Sequence, residues 1–319
     1  MNIDYPDNSL FYWYPLIKDL GIPMPKTVMV PMTGDEKEDR YQLFNGKEAP
    51  LLEKYMLRLQ ENAKSMELPL FLRSDETSNK HGWENTCFVS DIEQIPHHAY
   101  QIIEFTEMAG WLGGLDINGF VLREFLELDT RFTAFHGKMP VAKEFRFFVK
   151  DGKYQCYHPY WFPACMVKPS IEDWYDELLD MENISEAELE QLIRWTEKIG
   201  NAVDGYWSVD FCQLLDKTWA MTDMAIGENS FHWVTCKYAE KGALEHYGDP
   251  YAMPKEWRAS IRSDSVGLCS WCGGSGQLEK TNHQGEYPQK YDCPVCNGTG
   301  KEPIKSDKKR SKQCIVSNV

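Results

Sequence analysis

The sequence predicts an α+β fold in which helices are interleaved with antiparallel strands. Segments such as Ala49 to Met66 carry apolar residues at helical spacing. Runs rich in β-branched and aromatic residues meet at two-residue turns, Asp151-Gly152 and Asp216-Lys217, which predict β-hairpins. A chain with 42% hydrophobic residues, 11 Trp and 16 Tyr also has the composition of a folded globular protein.

The first part of the chain alternates helices with strands. Gly21 to Pro25 is a helix breaker, and Gly113-Gly114 closes the last helix of this part. A polar loop, Ser74 to Glu84, follows a buried strand. The predicted elements are a helix at Phe11 to Leu20, a strand at Thr27 to Val30, a helix at Ala49 to Met66, strands at Leu68 to Arg73 and Thr86 to Val89, and a helix at Ile95 to Leu112.

The second part contains two predicted hairpins separated by a helix. Ser185 is suited to cap that helix, whose apolar residues fall on one face. The predicted elements are strands at Phe120 to Leu126, Val141 to Lys150 and Lys153 to Tyr157, a helix at Glu186 to Ala202, and strands at Tyr206 to Leu215 and Thr218 to Met224.

Length and composition predict one large two-lobed domain followed by smaller segments. A chain of 319 residues exceeds the size at which a single core usually stops growing. Glycine and proline between Gly248 and Pro254 indicate a linker. The expected divisions are a main domain at 1–247, with lobes at about 1–115 and about 116–247, a linker at 248–267, a cysteine module at 268–300 and a basic tail at 301–319.

Charge and cysteine content limit the expected partners and compartment. A formal net charge of -15 predicts a surface that repels nucleic acid and acidic membranes. The basic tail is expected to be disordered and solvated, with a nucleic-acid-binding arm as the alternative. The N-terminus resembles neither a signal peptide nor an anchor, and no run of 18 apolar residues occurs. Ten Cys are then expected to be reduced thiols and metal ligands, which predicts a cytoplasmic protein without membrane contact.

Four cysteines in the module have the spacing of zinc ligands. Cys269 and Cys272 form one C-x-x-C knuckle, and Cys293 and Cys296 form a second one 20 residues later. Four thiolates fill a tetrahedral Zn²⁺ shell, so we expect a structural rather than a catalytic site, with a redox dithiol pair as the alternative. The repeated form C-x-x-C-x-G-x-G resembles half of the cysteine-rich region of DnaJ-type chaperones. That resemblance implies a zinc hairpin able to contact a protein or nucleic-acid partner, not chaperone activity.

Upstream of the module, charged residues interrupt apolar strands, which is costly unless they meet a ligand or each other. Two carboxylates on adjacent strands suit Mg²⁺, and arginine and lysine on neighbouring strands suit phosphates. Each residue taken singly also fits a solvent-facing hairpin position, an ion pair along one strand face or a helix-capping cation. The residues concerned are Arg123, Glu124, Glu144 and Arg146 within strands, Arg73 at the end of a strand, Asp210 and Asp223 on facing arms of a hairpin, and Lys80 in the polar loop that follows Arg73.

In this order the elements resemble the ATP-grasp superfamily, particularly a clade frequent in bacteriophages that keeps an arginine and a lysine in the first nucleotide-binding lobe. The resemblance spans roughly 20–233 and implies a two-lobed ATP-grasp fold with antiparallel sheets. The segments that carry it are Phe71 to Trp83, Val121 to Asp129, Lys143 to Gly152, Trp207 to Phe211 and Met221 to Ser230.

The resemblance assigns roles to particular positions. Arg73 and Lys80 would hold phosphates, and Arg146 would neutralise the transferring phosphoryl group, which makes these three the candidate catalytic residues. Asp210 and Asp223 would coordinate Mg²⁺. The remaining ATP contacts would come from a hinge whose backbone reads adenine, Glu124, Phe125 and Leu126, and from Glu127 or Asp129 at the ribose hydroxyls.

Two features depart from the family pattern. The second metal-binding strand of the family usually ends in an acidic residue followed two positions later by Asn. Here Asp223 is followed by Met224-Ala225, with Glu228 and Asn229 further on. The phosphate loop also contains a single glycine, Gly82.

These residues predict an ATP-dependent ligase that joins a carboxylate to an amine or a thiol through an acyl phosphate, using ATP, Mg²⁺ and a separate Zn²⁺ site. Small-molecule or peptide carboxylates and amines are the expected substrates, contacted by loops at Phe132 to Met139 and Pro163 to Glu177. A phosphotransferase on the same fold and a non-catalytic zinc-bearing adaptor for protein or RNA are the alternatives.

Overall fold

The computed structural model describes residues 5–44, 46–113, 116–233 and 236–239, together with the backbone of two strands at 277–280 and 289–292. The cysteine knuckles, most of the linker and module, and the basic tail lie outside the described residues. None of the helices in the described part of the chain is long and apolar enough to cross a membrane.

The first sheet and its helices are formed by the N-terminal part of the chain. The elements are α1 at Leu10–Ile17, β1 at Thr27–Pro31, α2 at Gly34–Phe44, α3 at Pro50–Ala63, β2 at Leu70–Ser74, β3 at Phe88–Val89, α4 at Ile95–Gly113 and β4 at Gly119–Glu124. The strand order is β1-β4-β2-β3, and every pairing is antiparallel. A core between this sheet and helices α3 and α4 includes Tyr55, Leu72 and Phe120, all with 0% exposure.

β4 pairs within this first sheet although it follows the lobe boundary expected near residue 115. That boundary stays a prediction.

A separate hairpin follows the first sheet in the chain. It consists of β5 at Thr130–Ala134 and β6 at Met139–Ala142, and its apolar residues pack with α5 at Trp174–Met181. The two segments expected to be loops therefore contain most of β5, the first residue of β6 and the start of α5.

The second sheet is formed by β7 at Glu144–Lys150, β8 at Lys153–Pro159, β9 at Tyr206–Gln213 and β10 at Trp219–Ile226, with α6 at Glu186–Gly200 packed against it. Its order is β10-β9-β7-β8, and it is antiparallel throughout. Alternate residues of β7 and β9 face a core formed with α1 and α6, in which Phe147 and Phe211 meet edge to face at 5.6 Å. Ser185 and Glu188 form a capping box at the start of α6, as the sequence predicts for the serine.

The predicted α+β class with antiparallel sheets is confirmed, and both predicted hairpins form. The predicted continuous strand from Val141 to Lys150 is wrong, because the chain passes from the β5–β6 hairpin to the second sheet at Lys143. The sequence does not predict α2, which is strongly polar. In the cysteine module, β11 at Gln277–Lys280 pairs antiparallel with β12 at Gln289–Asp292.

Candidate functional site

A cleft that is open to solvent lies between the two sheets. The ends of β2 and β4 form one side, and β7, β9 and β10 form the other. The β5–β6 hairpin contributes Met139 and Pro140 to the lining. The cleft brings together most of the charged residues that the sequence singles out, namely Arg73, Lys80, Arg123, Glu124, Glu144, Arg146, Asp210 and Asp223.

A β-bulge in β10 aligns two carboxylates across the second sheet. The register pairs Met221 with Phe211 and then Asp223 with Asp210, so that one residue of β10, Thr222, has no partner of its own in the register. On the other side of β9, Asp210 pairs with Arg146. Three neighbouring strands therefore carry Arg146, Asp210 and Asp223 side by side in one row.

Both carboxylates form ion pairs with arginines. Arg146 donates two hydrogen bonds to Asp210, from Nε to Oδ1 and from Nη2 to Oδ2, each 2.8 Å long. Arg73 reaches from the first sheet, and its Nη1 lies 2.7 Å from Asp223 Oδ1. Asp210 is only 4% exposed, whereas the Asp223 side chain is 39% exposed. The second ion pair therefore links the two sheets across the cleft.

Lys80 lies against aromatic rings of the same cleft. Its Nζ is 4.0 Å from the centroid of the Tyr160 ring and 4.9 Å from that of Trp161. Arg146 Cζ lies 4.8 Å from the centroid of the same Tyr160 ring. Burial opposes the charge on Lys80, but Tyr160 and Glu144 outweigh it and raise the pKa of Lys80 above its usual value. The ammonium group is thus held charged beside the row of strand residues.

Arg123 is a further cation that lines the cleft. It is 3% exposed, its Nη1 donates to the carbonyl of Thr222 in the bulge, and its Nε lies 3.3 Å from Thr27 Oγ1. Among the described residues, Nη2 has no hydrogen-bond partner. Burial, followed by the nearby charge of Arg73, lowers the pKa of Arg123 to about 10. A buried, unsatisfied guanidinium nitrogen is costly unless an anion completes its shell.

Two further carboxyls in the cleft have a raised pKa. Burial raises the pKa of Glu144 to about 7, Lys80 opposes this and Asp210 adds to it. Burial and the neighbouring Asp75 raise the pKa of Glu76 to about 7, against the backbone N–H of Asp116, which donates to Glu76 at 3.3 Å. Burial is therefore the main reason that both carboxyls hold a proton more tightly than usual.

The raised pKa of Glu76 predicts a pH-dependent stability. Its folded pKa of about 7 exceeds the reference value of 4.5, so the folded protein holds this proton more tightly. Ionisation of Glu76 therefore lowers the free energy of unfolding. This loss of stability is absent below pH 4.5, grows as the pH rises to about 7 and is then constant.

We expect the stability of Glu76→Gln relative to the wild type to increase by about 1 kcal/mol between about pH 5 and about pH 8, after allowance for solvent screening of this half-buried group. Urea titrations at both pH values measure the difference in unfolding free energy. Glu172→Gln, at an exposed position, is the control. A pH-independent difference between Glu76→Gln and the wild type would contradict the raised pKa.

Another part of the cleft wall is apolar and aromatic. Trp83 contacts Phe71 at 5.7 Å and Phe125 at 6.2 Å between ring centroids, and these rings line the cleft with Leu126. Among the described residues, no backbone group hydrogen-bonds to the backbone of Phe125 or Leu126. An aromatic wall beside an available peptide donor and acceptor can bind a flat heterocycle by stacking and by its edge.

Not every predicted ATP contact lies in the cleft. Glu124, Phe125 and Leu126 line it, but Glu127 and Asp129 do not. Asp129 accepts from Lys217 at 2.6 Å and from Arg131 at 3.4 Å. The role of these two carboxylates at a ribose therefore stays a prediction.

Sequence reasoning misses several residues of the cleft. Tyr160 and Trp161 fall in an aromatic stretch that is typical of a core, and Trp83 and Glu76 belong to a segment for which the sequence predicts only a polar loop. No pattern in the sequence marks Tyr160, because its place near Arg146 depends on the β7–β8 register, which pairs His158 with Arg146.

Comparison with known protein families gives a match over the same part of the chain. Residues 60–230, more than half of the chain, match the family described as ATP-grasp domain, R-2-K clade family 3. No curated protein matches the chain.

Similar solved structures are distant. N5-carboxyaminoimidazole ribonucleotide synthetase from Thermotoga maritima is 11% identical, with a TM-score of 0.39, over 77% of this chain and 50% of that one. Carboxyaminoimidazole ribonucleotide synthase from Aspergillus clavatus, complexed with ATP, is 14% identical, with a TM-score of 0.38, over 71% and 46%. Cdc123 from Schizosaccharomyces pombe is 13% identical, with a TM-score of 0.42, over 77% and 94%. This chain thus spans about half the length of the two synthetases.

Proposed function

Because the chain belongs to the ATP-grasp domain family, R-2-K clade family 3, we propose that its cleft binds Mg·ATP and that the protein is an ATP-dependent ligase. The products would be an amide or a thioester, formed from a carboxylate and an amine or thiol. The observation that carries the proposal is the row Arg146, Asp210 and Asp223 on neighbouring strands, with Arg73 and Lys80 in the same cleft.

The donor set of this row fits a Mg²⁺ ion. Asp210 and Asp223 are paired residues on β9 and β10, and hard carboxylate oxygens are the ligands that Mg²⁺ prefers. When bound, the metal would neutralise charge on the phosphates of ATP during transfer. Thr222, in the bulge, donates from Oγ1 to the Asp210 carbonyl at 3.2 Å and so supports the backbone between the two carboxylates.

We infer that the arginines exchange partners when nucleotide binds. In the structure, Arg146 pairs with Asp210 and Arg73 pairs with Asp223, so these charges neutralise each other. With Mg·ATP in the cleft, the carboxylates would turn to the metal and the guanidinium groups to the phosphates, for which their planar forks are suited. The positive and negative charges in the cleft are then balanced in both arrangements, so the buried arginines and carboxylates can stay ionised.

The remaining cations extend the phosphate site, and the aromatic wall suits adenine. Lys80 is a point charge at the start of a 3-10 helix, Lys80–Asn85, that borders the cleft. Arg123 Nη2 offers a donor without a partner among the described residues. The available backbone of Leu126 and the ring of Phe125 favour the base on that wall.

In the proposed reaction, an oxygen of the substrate carboxylate attacks the γ-phosphorus and ADP leaves. The amine or thiol then attacks the carbonyl carbon of the acyl phosphate, and inorganic phosphate leaves. Arg146 and Lys80 would stabilise the negative charge of the transferring group, and no protein nucleophile is needed.

The test incubates the purified chain with ATP, Mg²⁺, a panel of carboxylates and a panel of amines and thiols. ADP release that requires one member of each panel supports the ligase, and with an ¹⁸O-labelled carboxylate the inorganic phosphate should carry one label. A stable phosphorylated product would instead select a phosphotransferase. ADP release independent of every carboxylate and amine would contradict the ligase, and so would no release at all, as expected of a non-catalytic adaptor.

Substitution of Gly137 tests whether the segment that carries Lys80 contributes to ATP binding, without removing any charged side chain. It lies in the β5–β6 turn, and its N–H donates to the His81 carbonyl at 3.1 Å. A Cβ at this position would overlap backbone atoms of Gly82 and Trp83. Gly137→Ala must therefore displace the segment that carries Lys80, and we expect the Kd for Mg·ATP to rise about tenfold.

Calorimetry measures this change in affinity. Gly34→Ala, where no atom lies within 4 Å of the added carbon, is the control. Equal affinities of Gly137→Ala and the wild type would contradict the role of this segment.

For the cysteine module we propose a structural zinc site made by Cys269, Cys272, Cys293 and Cys296. The antiparallel pairing of Gln277 with Asp292 supports it, because the chain must then enter and leave the hairpin at one end. Cys272→Ser is expected to lose one Zn²⁺ per chain and to keep Mg·ATP binding. Metal analysis and calorimetry check both, and loss of ATP binding would make the module part of the catalytic fold.

Two expectations from the sequence stay predictions. One is contact of this module or the basic tail with protein or nucleic acid, and the other is membership of a phage-type subclade.

A further inference from the structure

We propose a second zinc site, made by Cys156, His232 and Cys236, outside the ATP cleft. The three ligand atoms all lie within 4.8 Å of one another. The two Sγ atoms are 3.4 Å apart, and Cys156 Sγ lies 3.7 Å from His232 Nδ1. A tetrahedral Zn²⁺ centre with bonds of about 2.3 Å to sulfur and about 2.0 Å to nitrogen separates such atoms by about 3.8 and about 3.5 Å. The side chains therefore already have nearly the spacing that the metal requires.

The surroundings of His232 hold its ring in the orientation of a metal ligand. Its Nε2 lies 2.5 Å from the hydroxyl of Tyr206, and its ring stacks on Phe148 with centroids 3.7 Å apart. If Nε2 carries the proton and donates it to Tyr206, Nδ1 keeps a lone pair for the metal. A ligating histidine usually has such a partner on its other nitrogen, which fixes both tautomer and orientation.

The site joins two parts of the chain that are distant in sequence. Cys156 lies on β8, the edge strand of the second sheet, opposite Phe148 on β7. His232 and Cys236 lie beyond β10, in the segment that leads toward the C-terminal part of the chain. A metal bound here would fasten this segment onto the edge strand. None of the three ligands lines the cleft, so the site is separate from the proposed reaction.

The ligand chemistry favours zinc among the common divalent ions. Two thiolates with one imidazole form a soft set typical of Zn²⁺ rather than Mg²⁺ or Ca²⁺. A water molecule would complete the tetrahedral shell. The alternative is a disulfide between Cys156 and Cys236, which needs a sulfur–sulfur distance of about 2.05 Å and would remove both ligands.

The test measures zinc per chain in the full-length protein by mass spectrometry of the metal. Cys156→Ser and Cys236→Ser should each hold one Zn²⁺ fewer than the wild type, whereas the control Cys165→Ser, another half-buried cysteine, should hold the same number. Since the knuckle site contributes its own zinc, the comparison is repeated in a Cys269→Ser, Cys293→Ser background. There we expect one Zn²⁺ per chain, falling to none when Cys236→Ser is added.

A second measurement keeps the result independent of folding defects. Cobalt substituted into the same knuckle-deficient background should give sulfur-to-cobalt charge-transfer absorption that Cys236→Ser abolishes and Cys165→Ser retains. Unchanged zinc content in both ligand variants would overturn the proposal. So would peptide mapping under non-reducing conditions that finds a Cys156–Cys236 disulfide in the purified, zinc-free protein.

Discussion

Asp210→Asn is expected to lower ATP-dependent product formation by about 1,000-fold, which corresponds to about 4 kcal/mol of transition-state stabilisation. Asp210 is the buried member of the proposed metal pair, and both of its oxygens accept from Arg146. Asparagine has nearly the same shape but offers one neutral oxygen in place of a carboxylate. It would weaken metal binding and leave Arg146 without its counter-charge in the nucleotide-free state.

Initial rates of ADP release at saturating Mg²⁺ measure this effect. Asp204→Asn is a matched control, since Asp204 is exposed at the turn just before β9 and should keep wild-type activity. Circular dichroism must show that both variants are folded. A rate within about threefold of the wild type in the folded Asp210→Asn protein would refute the metal role.

Arg146→Met is expected to lower the free energy of unfolding by about 3–5 kcal/mol in the absence of nucleotide and metal. The substitution keeps most of the side-chain volume but leaves the Asp210 carboxylate buried and unpaired. Mg²⁺ alone should restore part of the lost stability, because the freed carboxylate can then bind it. The affinity for Mg·ATP should fall, since a phosphate ligand is missing.

Urea unfolding with and without Mg²⁺ measures the stability effects. The double variant Arg146→Met, Asp210→Leu should recover most of the stability, because removing both charges of a buried pair is much less costly than removing one. Arg194→Met is the surface control, since its ion pair with Glu190 is 3.6 Å long and about two-thirds exposed. A small loss in the single variant, or no response to Mg²⁺, would contradict a buried and metal-competent Asp210.

The charged residues of the cleft could be predicted from the sequence because they interrupt apolar strands. Arg73, Arg146, Asp210 and Asp223 all lie in one cleft, as the pattern indicates. What could not be predicted is that each carboxylate pairs with an arginine. The Arg73–Asp223 pair joins two sheets, and nothing local in either segment specifies the distance between them.

Two β-bulges prevent the sequence from predicting which face of the sheet a side chain lies on and which residue it pairs with on the next strand. In β10, the bulge between Met221 and Asp223 places Asp223, not Thr222, opposite Asp210. In the β7–β8 hairpin, a shift between Phe148 and Val149 changes every partner beyond it. A one-residue shift turns each following side chain to the other face, and such shifts leave no mark in the periodicity.

Elements that depend on tertiary contacts escape prediction for a different reason. α2 is polar along its length and is held by individual contacts. Arg40 Nη2 lies 2.7 Å from Asp116 Oδ1, and Asp39 accepts from the backbone N–H groups of Leu51 and Leu52 at the start of α3. A helix without an apolar stripe gives no periodic signal, because its stability comes from residues that are distant in sequence.

Calorimetric titration of ATP into the full-length protein, with and without Mg²⁺, tests the central claim most directly. The exchange of arginine partners requires that Mg²⁺ and the phosphates bind together. We therefore predict one ATP per chain, bound at least about tenfold more tightly with Mg²⁺, and an Asp223→Asn variant in which this dependence on Mg²⁺ is lost. Absence of binding heat, or an affinity that is the same with and without Mg²⁺ in the wild type, would contradict the claim.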